Sequence, residues 1–345
     1  MARLIFWVTL ALTPVTLVAH YAFDVKGTPS FLLSAAALAP LAFLIGEATE
    51  NVAEHTGPGI GGFLNASFGN APELIIALFA VGSGLPNVVR GSLIGSVVST
   101  ALLVLGAAMV AGGEGKLDRR SLGLQVTMIF VAAALFLVPS IPGWHGNPER
   151  HHLYVLTLPV AGALLVGYLA LTFLNLRRHA ASHTAEPDEE AWSLRNGLAA
   201  LAFATVATAL VSEILVHSLD AFGHALGLSQ FFVAAVIVAI VGNAAEQGGA
   251  VVIARRGNPR LGAEIAISSA TQVAVFVTPA IALLSFFIGH DLPLAFRPVE
   301  LAAVGCAAVV VAFTVADGRS RRWEGFVLLA LYAAVVTAFG FAGDR

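Results

Sequence analysis

Charge is what this chain has little of. Only 11% of its 345 residues are Asp, Glu, Lys or Arg, against about 25% in an ordinary soluble domain, while 58% are apolar. That shortage excludes a soluble enzyme and a disordered scaffold. A net charge of −3 leaves no basic footprint for nucleic acid. A single cysteine, Cys306, permits no internal disulfide and no cysteine metal cluster. The chain has no HExxH pair, no GxSxG elbow and no Cys–His constellation, so an intramembrane hydrolase lacks its usual machinery. What the chain has in quantity is glycine, 34 residues, which suits close helix packing in lipid. Its mean hydropathy is +0.86.

A bilayer-spanning helix needs about 20 mostly apolar residues. Such runs fall at 4–22, 31–55, 60–82, 87–112, 121–139, 152–176, 193–219, 228–254, 259–289, 298–316 and 323–342. The breaks between them carry Pro, Gly or charge, as in Gly84-Leu85-Pro86 and Gly257-Asn258-Pro259. The first run reads as a span, because no small-x-small cleavage site follows it. The Lys and Arg residues concentrate on one side. Arg3, Lys116, Arg119, Arg120, Arg177, Arg178, Arg195, Arg255, Arg256, Arg260, Arg319, Arg321 and Arg322 share the N-terminal side; Lys26, Arg90, Arg150, Arg297 and Arg345 fall opposite. The positive-inside bias then puts the N-terminus in the cytoplasm and the C-terminus outside.

The sequence repeats itself. Gly69-Asn70-Ala71-Pro72-Glu73 matches Gly242-Asn243-Ala244-Ala245-Glu246 at an offset of 173, and Pro86, Ser96 and Ser99 match Pro259, Ser269 and Gln272 at the same offset. Upstream, Glu47, Asn51 and Glu54 match Glu213, His217 and Asp220 at an offset of 166. The expected fold is therefore an all-α integral membrane protein of eleven transmembrane helices. An N-terminal helix (1–30) precedes a first five-helix repeat (31–176), an acidic cytoplasmic linker (177–192) and a second five-helix repeat (193–345). Five is odd, so the two repeats are inverted, which brings paired motifs together near the midplane.

Glu47, Glu50, Glu73, Glu213 and Glu246 lie within apolar sequence, whereas Lys and Arg keep to span ends. A lone charge at mid-bilayer costs on the order of 3 kcal/mol, and such residues face a cavity or pathway. Without a basic partner they must be protonated or hold a cation, and a group that alternates between those states is a cation/proton antiport site. Asn70 and Glu73 are i, i+3, as are Asn243 and Glu246, so amide and carboxylate share a helix face. Gly69 and Gly242 permit a local break that frees backbone carbonyls, tolerated at depth only beside a cavity. Two carboxylates, two amide oxygens and nearby carbonyls suit hard Ca2+, whereas zinc wants His or Cys. Protons compete for the same oxygens. Glu47, Glu50, Glu54, Glu213, His217 and Asp220 read as vestibules, and Ser96, Ser99, Ser269 and Gln272 as pathway lining.

Gly69–Ala80 (GNAPELIIALFA) with Gly91–Gly106 (GSLIGSVVSTALLVLG) resembles the first signature of Ca2+/H+ antiporters of the cation/Ca2+ exchanger superfamily. Val241–Pro279, from VGNAAE to SSATQVAVFVTP, resembles the second, and LIGEATENVAEHTGP from Leu44 resembles the second span. The resemblance implies Ca2+ held between the signature helices by Glu73 and Glu246, and alternating access in which spans 1 and 6 rock. Three features depart from the pattern: Gln247 where a His is usual, Thr100 where an Asn is common, and Ser268 for a Gly with Glu264 as an added acid nearby. The expected activity is export of cytoplasmic Ca2+ in exchange for protons, with Ca2+ as substrate and no cofactor. The expected setting is a prokaryotic inner membrane, with the bilayer as partner and a homo-oligomer left open. The alternatives are a sodium-coupled exchanger of the same superfamily, a passive cation channel and an intramembrane hydrolase.

Overall fold

A computed structural model describes residues 2–144, 151–179 and 192–344; most of the acidic linker, including Glu186 to Glu190, and Arg150 and Arg345 lie outside the described residues. The chain is helical almost throughout. We number the helices α1 (Phe6–Tyr21), α2 (Thr28–Phe68), α3 (Ala71–Gly82), α4 (Pro86–Gly112), α5 (Arg119–Gly143), α6 (His151–His179), α7 (Leu194–Leu226), α8 (Gln230–Gly242), α9 (Ala244–Arg255), α10 (Pro259–Ile288), α11 (Pro298–Val315) and α12 (Arg322–Ala342). Among the described residues, eight helices are long and apolar enough to cross a bilayer, or nine if α8 and α9, bent by 59° at their junction, form one span. α1 and α3 are shorter apolar helices.

Local chemistry sets these boundaries. Asp118 caps α5 by accepting from the backbone N–H groups of Arg120 and Ser121, Ser193 caps α7 through Asn196 N–H, and Asn258 caps α10 through Leu261 N–H. Pro86, Pro259 and Pro298 open α4, α10 and α11, where a missing N–H costs nothing. One expected break is absent. The Gly57-Pro58-Gly59 stretch does not end a helix, and α2 runs unbroken for 41 residues. A proline removes one backbone bond and kinks a helix, but its fixed φ is itself helical, so α2 keeps helical torsions while Leu44, Ile45 and Ala48 pack against Ala71; Pro139, Pro142 and Pro159 also sit inside helices.

α2 and α7 make the most extensive helix–helix contact, and α9 packs against α10 and the end of α4. Glycines allow close approach at two crossings. A Cβ at Gly95 would lie 2.0 Å from the carbonyl oxygen of Ala235, and Gly106 and Gly325 face each other, each within 3 Å of the other's carbonyl oxygen by the same measure. A two-residue antiparallel ladder pairs Gly115 with Ser320 and Lys116 with Arg319, tying the α4–α5 connection to the α11–α12 connection. Three π-helical turns interrupt the α-helices: Ser99–Val104 in α4, Val233–Val238 in α8 and Val273–Val277 in α10. Such turns cluster at functional places.

Two arginines assigned to span ends are buried. Arg90 donates to Asn87 Oδ1 at 2.9 Å. Arg297 pairs with Glu300, lies 3.9 Å over the Phe231 ring and donates to the Gly343 carbonyl at 2.7 Å. Their residue type placed them in water; the Asn87 side chain meets Arg90, and a carboxylate, an aromatic face and the carbonyls at the end of α12 hold Arg297.

Candidate cation site

The chain breaks helix twice, at Asn70 (φ −102°, ψ 20°) and at Asn243 (φ −95°, ψ 7°). Each asparagine begins the next helix, and each backbone carbonyl accepts the first intrahelical bond, from Leu74 N–H and Gln247 N–H. A capping asparagine ordinarily turns its side-chain oxygen onto the helix's own free N–H groups. Neither does so here. Asn70 Nδ2 instead donates to Gln272 Oε1 at 2.7 Å, and Asn243 Nδ2 donates to Ser96 Oγ at 2.8 Å and to the Ala239 carbonyl at 3.0 Å. Each amide is therefore fixed by a residue from the other signature segment, and its oxygen is left over.

Glu73 and Glu246 occupy the first turns of α3 and α9, where the helix dipole favours a carboxylate. Glu73 is 7% exposed and packs against Gly242, at which a Cβ would meet Glu73 Oε1 at 3.6 Å. Asn70 Oδ1, both Glu73 carboxylate oxygens, Asn243 Oδ1 and Glu246 Oε2 are all buried without a hydrogen-bond partner. A buried polar atom left unpaired costs about 1–3 kcal/mol. Five acceptor oxygens in that condition, on two adjoining helix breaks, are a demand for a cation or for protons. No group of three or more His, Cys, Asp or Glu suited to a metal occurs among the described residues, so neutral oxygens must complete any such shell.

Glu73, Glu246, Asn243, Gly69 and Gly242 line a cavity of about 1060 Å3. Glu47, Glu50 and Glu54 from α2, and Glu264, Ser268, Ser269 and Gln272 from α10, line the same cavity. Glu213, His217 and Asp220 do not. They line two other cavities, of about 690 and 490 Å3, at the far end of α7. Ser96 and Ser99 stand behind the cavity lining, as acceptors for Asn243 and for Gln247 Nε2 at 3.5 Å. The departures are thereby placed. Gln247 bonds Ser99, Thr100 donates to the Ser96 carbonyl at 2.6 Å, and Ser268 accepts from Gln272 at 3.3 Å. Glu264 pairs with Arg260, which also binds Asp118 at 2.7 Å, tying the start of α10 to the start of α5. Backbone N–H donation from Ser121 is the largest influence on the Asp118 carboxyl and, with the Arg260 charge and the Arg120 N–H added, holds it below the usual carboxylate range against the opposing effect of desolvation.

Sequence reasoning missed Ser121 and Gln125, which line the cavity from α5. Gln125 left a signal: it is an amide in an otherwise apolar run.

The sequence profile of the family described as "Sodium/calcium exchanger protein" matches residues 26–177 and 196–341. The chain belongs to that family. It is 32% identical over 360 residues to a Ca2+/H+ antiporter of Aphanothece halophytica, covering 98% of this chain and 96% of the relative. It is 36% identical over 315 residues to the Ca2+/H+ antiporter ChaA of Bacillus subtilis (strain 168), covering 87% and 88%. Among solved structures, native YfkE superposes with a TM-score of 0.84 at 29% identity, covering 97% of this chain and 99% of that one. The sodium-calcium exchanger NCX_Mj shares the fold at a TM-score of 0.56 and 20% identity, covering 89% and 96%. Family and apolar helices together make this an integral membrane protein.

Proposed function

We propose that this chain is a secondary antiporter that carries Ca2+ and protons in opposite directions through one shared site, formed by Glu73 and Glu246 with the amide oxygens of Asn70 and Asn243. Ca2+/H+ exchange is the activity named for its bacterial relatives, and this chain performs it. One observation carries the site: the five buried acceptor oxygens without donors, gathered on the two helix breaks beside one cavity. A hard divalent ion satisfies oxygens of this kind, and so do two protons. The site is never left empty and charged, and the exchange follows from that.

The chain crosses the membrane eleven times in this reading: α1, α2 up to Thr56, the end of α2 together with α3, α4, α5, α6, α7, the broken α8–α9 unit, α10, α11 and α12. Residues 1–30 precede inverted repeats at 31–176 and 193–345, joined by the linker at 177–192. The positive-inside bias sets the N-terminus in the cytoplasm of a bacterial cell and the C-terminus outside. The large cavity reaches Ser121 and Leu261, each next in sequence to a basic residue, Arg120 and Arg260, and opens to the cytoplasm in this reading. Ionised Glu73 and Glu246 collect Ca2+ there, and protons arriving from outside displace it after the access side changes. A ligand shifts such an equilibrium only through its different affinity for the two states; here the difference is charge compensation at the pair.

The test is Ca2+ uptake into inverted vesicles under an imposed pH gradient. Uptake that survives both Glu73→Gln and Glu246→Gln refutes the site. Uptake driven by a Na+ gradient in place of the pH gradient refutes proton coupling and favours a sodium-coupled exchanger.

A further inference from the structure

The two repeats carry matching faces that differ in one chemical respect. On α2 the face is Glu47, Asn51 and Glu54, with Glu50 beside it; on α7 it is Glu213, His217 and Asp220, with Val216 at the place of Glu50. The α2 acids line the cavity that holds Glu73 and Glu246. The α7 face lines two cavities that do not reach that pair. One of them is bounded by Leu78, Phe79 and Gly82 of α3. Leu78 lies five residues beyond Glu73 on the same helix, roughly 8 Å along its axis. The α7 face thus lines cavities separate from the pair, and the α2 face lines the cavity that contains it.

Asn51 does not titrate. Its Oδ1 accepts from the Trp192 N–H at 2.8 Å and its Nδ2 donates to the Glu47 carbonyl at 2.8 Å. His217 is exposed, and its Nδ1 lies 2.8 Å from the Glu213 carbonyl oxygen. A carbonyl can only accept, so Nδ1 carries the hydrogen and the lone pair is on Nε2. Imidazole is the side chain that ordinarily changes charge near neutral pH. The titratable and charged groups around His217 are Glu213, Asp220 and His224 on α7, and His20, Tyr21 and Lys26 from α1 and the connection after it, Lys26 being paired with Asp24. The neighbouring walls contributed by α3 and Gln230 are uncharged.

Resting on the exchanger reading above, we propose that His217 is the acceptor for external protons on the outer access route. A hydronium ion gives its proton to Nε2, and the imidazole becomes imidazolium. Between Glu213 and Asp220 that cation reduces the face from two negative charges to one, while the α2 face keeps three from Glu47, Glu50 and Glu54. Ca2+ is therefore attracted on the cytoplasmic side and released on the acidified outer side. The imidazolium returns to neutral by passing its proton to a carboxylate of the Glu73–Glu246 pair, which becomes a carboxylic acid.

The experiment measures Ca2+ uptake into inverted vesicles while lumenal pH, which corresponds to the outside, is varied between about pH 5 and 8. Two variants are compared with wild type: His217→Asn, which copies Asn51, and His217→Lys, which keeps a permanent cation. The expected result is a lumenal-pH profile flattened in both, at a low rate in the first and a high rate in the second, with the change in KM for cytoplasmic Ca2+ smaller than the change in profile. A wild-type lumenal profile in His217→Asn overturns the proposal. So does loss of uptake in both variants when each reaches the membrane folded, since that marks a structural role. Failure of wild type itself to take up Ca2+ under a pH gradient overturns the exchanger reading instead.

Discussion

The carboxylate of Glu73 lies against the bare backbone of Gly242: a methyl group added at residue 242 would sit 3.6 Å from Glu73 Oε1. The two residues come from opposite halves of the chain, and the contact binds the glycine of one signature to the acid of the other. Gly242→Ala is expected to insert and fold, since 3.6 Å is ordinary van der Waals contact, but to lose Ca2+ affinity as the methyl takes up space beside the oxygen that must coordinate the ion. The measurement is the KM for Ca2+ uptake beside a thermal midpoint; a raised KM with an unchanged midpoint is the expected result.

Replacing either acid by its amide removes a charge that the ion needs. Truncating one partner of a buried charge pair costs about 2–5 kcal/mol, and about 2.7 kcal/mol is a hundredfold. Glu73→Gln and Glu246→Gln are each expected to lower Ca2+ transport about a hundredfold or more. 45Ca uptake at saturating pH gradient checks this. Uptake near the wild-type rate in either variant would place the ion elsewhere.

Gln272 and Ser96 hold the amides of Asn70 and Asn243 from across the site. A hydrogen bond of this kind contributes about 1 kcal/mol net, or roughly fivefold in affinity. Gln272→Ala and Ser96→Ala are expected to raise the KM for Ca2+ by that amount and to leave the direction of exchange unchanged. A fall in maximal rate at constant KM would instead assign them to the access change.

Gly95 meets the Ala235 carbonyl where no Cβ fits, at 2.0 Å. Gly95→Ala forces α4 away from α8, and overpacking of this sort costs about 1–3 kcal/mol. A lowered thermal midpoint in detergent, with reduced yield of folded protein, is the expected outcome.

Asp118 holds stability that depends on pH. Its carboxyl is depressed by the Ser121 N–H and by Arg260, so its contribution is present above the unfolded carboxylate range and disappears as pH falls through its lowered value. Asp118→Asn keeps an N-cap oxygen and loses the charge. The acid limb of the wild-type unfolding profile is expected to be shallower in that variant, and identical acid limbs would contradict the assignment.

The site could be read from the sequence because its acids stand out where charge is expensive. Glu73 and Glu246 sit in apolar runs beside a repeated asparagine, and helical spacing puts each pair on one face. The spans followed from apolar length in the same way. What could not be read depends on partners distant in the chain or on which side of the site is open. Arg260 reaches Asp118 across 142 residues, and nothing local announces it. Arg90 is met by the Asn87 side chain, and Arg297 by carbonyls, a carboxylate and a ring. Glu213, His217 and Asp220 share the spacing of Glu47, Asn51 and Glu54, yet line different cavities, a difference that spacing along a helix does not carry.

The π-helical turns at Ser99–Val104 and Val273–Val277 end at the same register under the offset of 173 that relates the signatures. A turn of this kind spends one residue more than an α turn and rotates everything beyond it by about 100°. Because the extra residue falls at one register in both signatures, α4 and α10 turn by the same amount beyond it, and residues paired by that offset keep matching directions along the two helices.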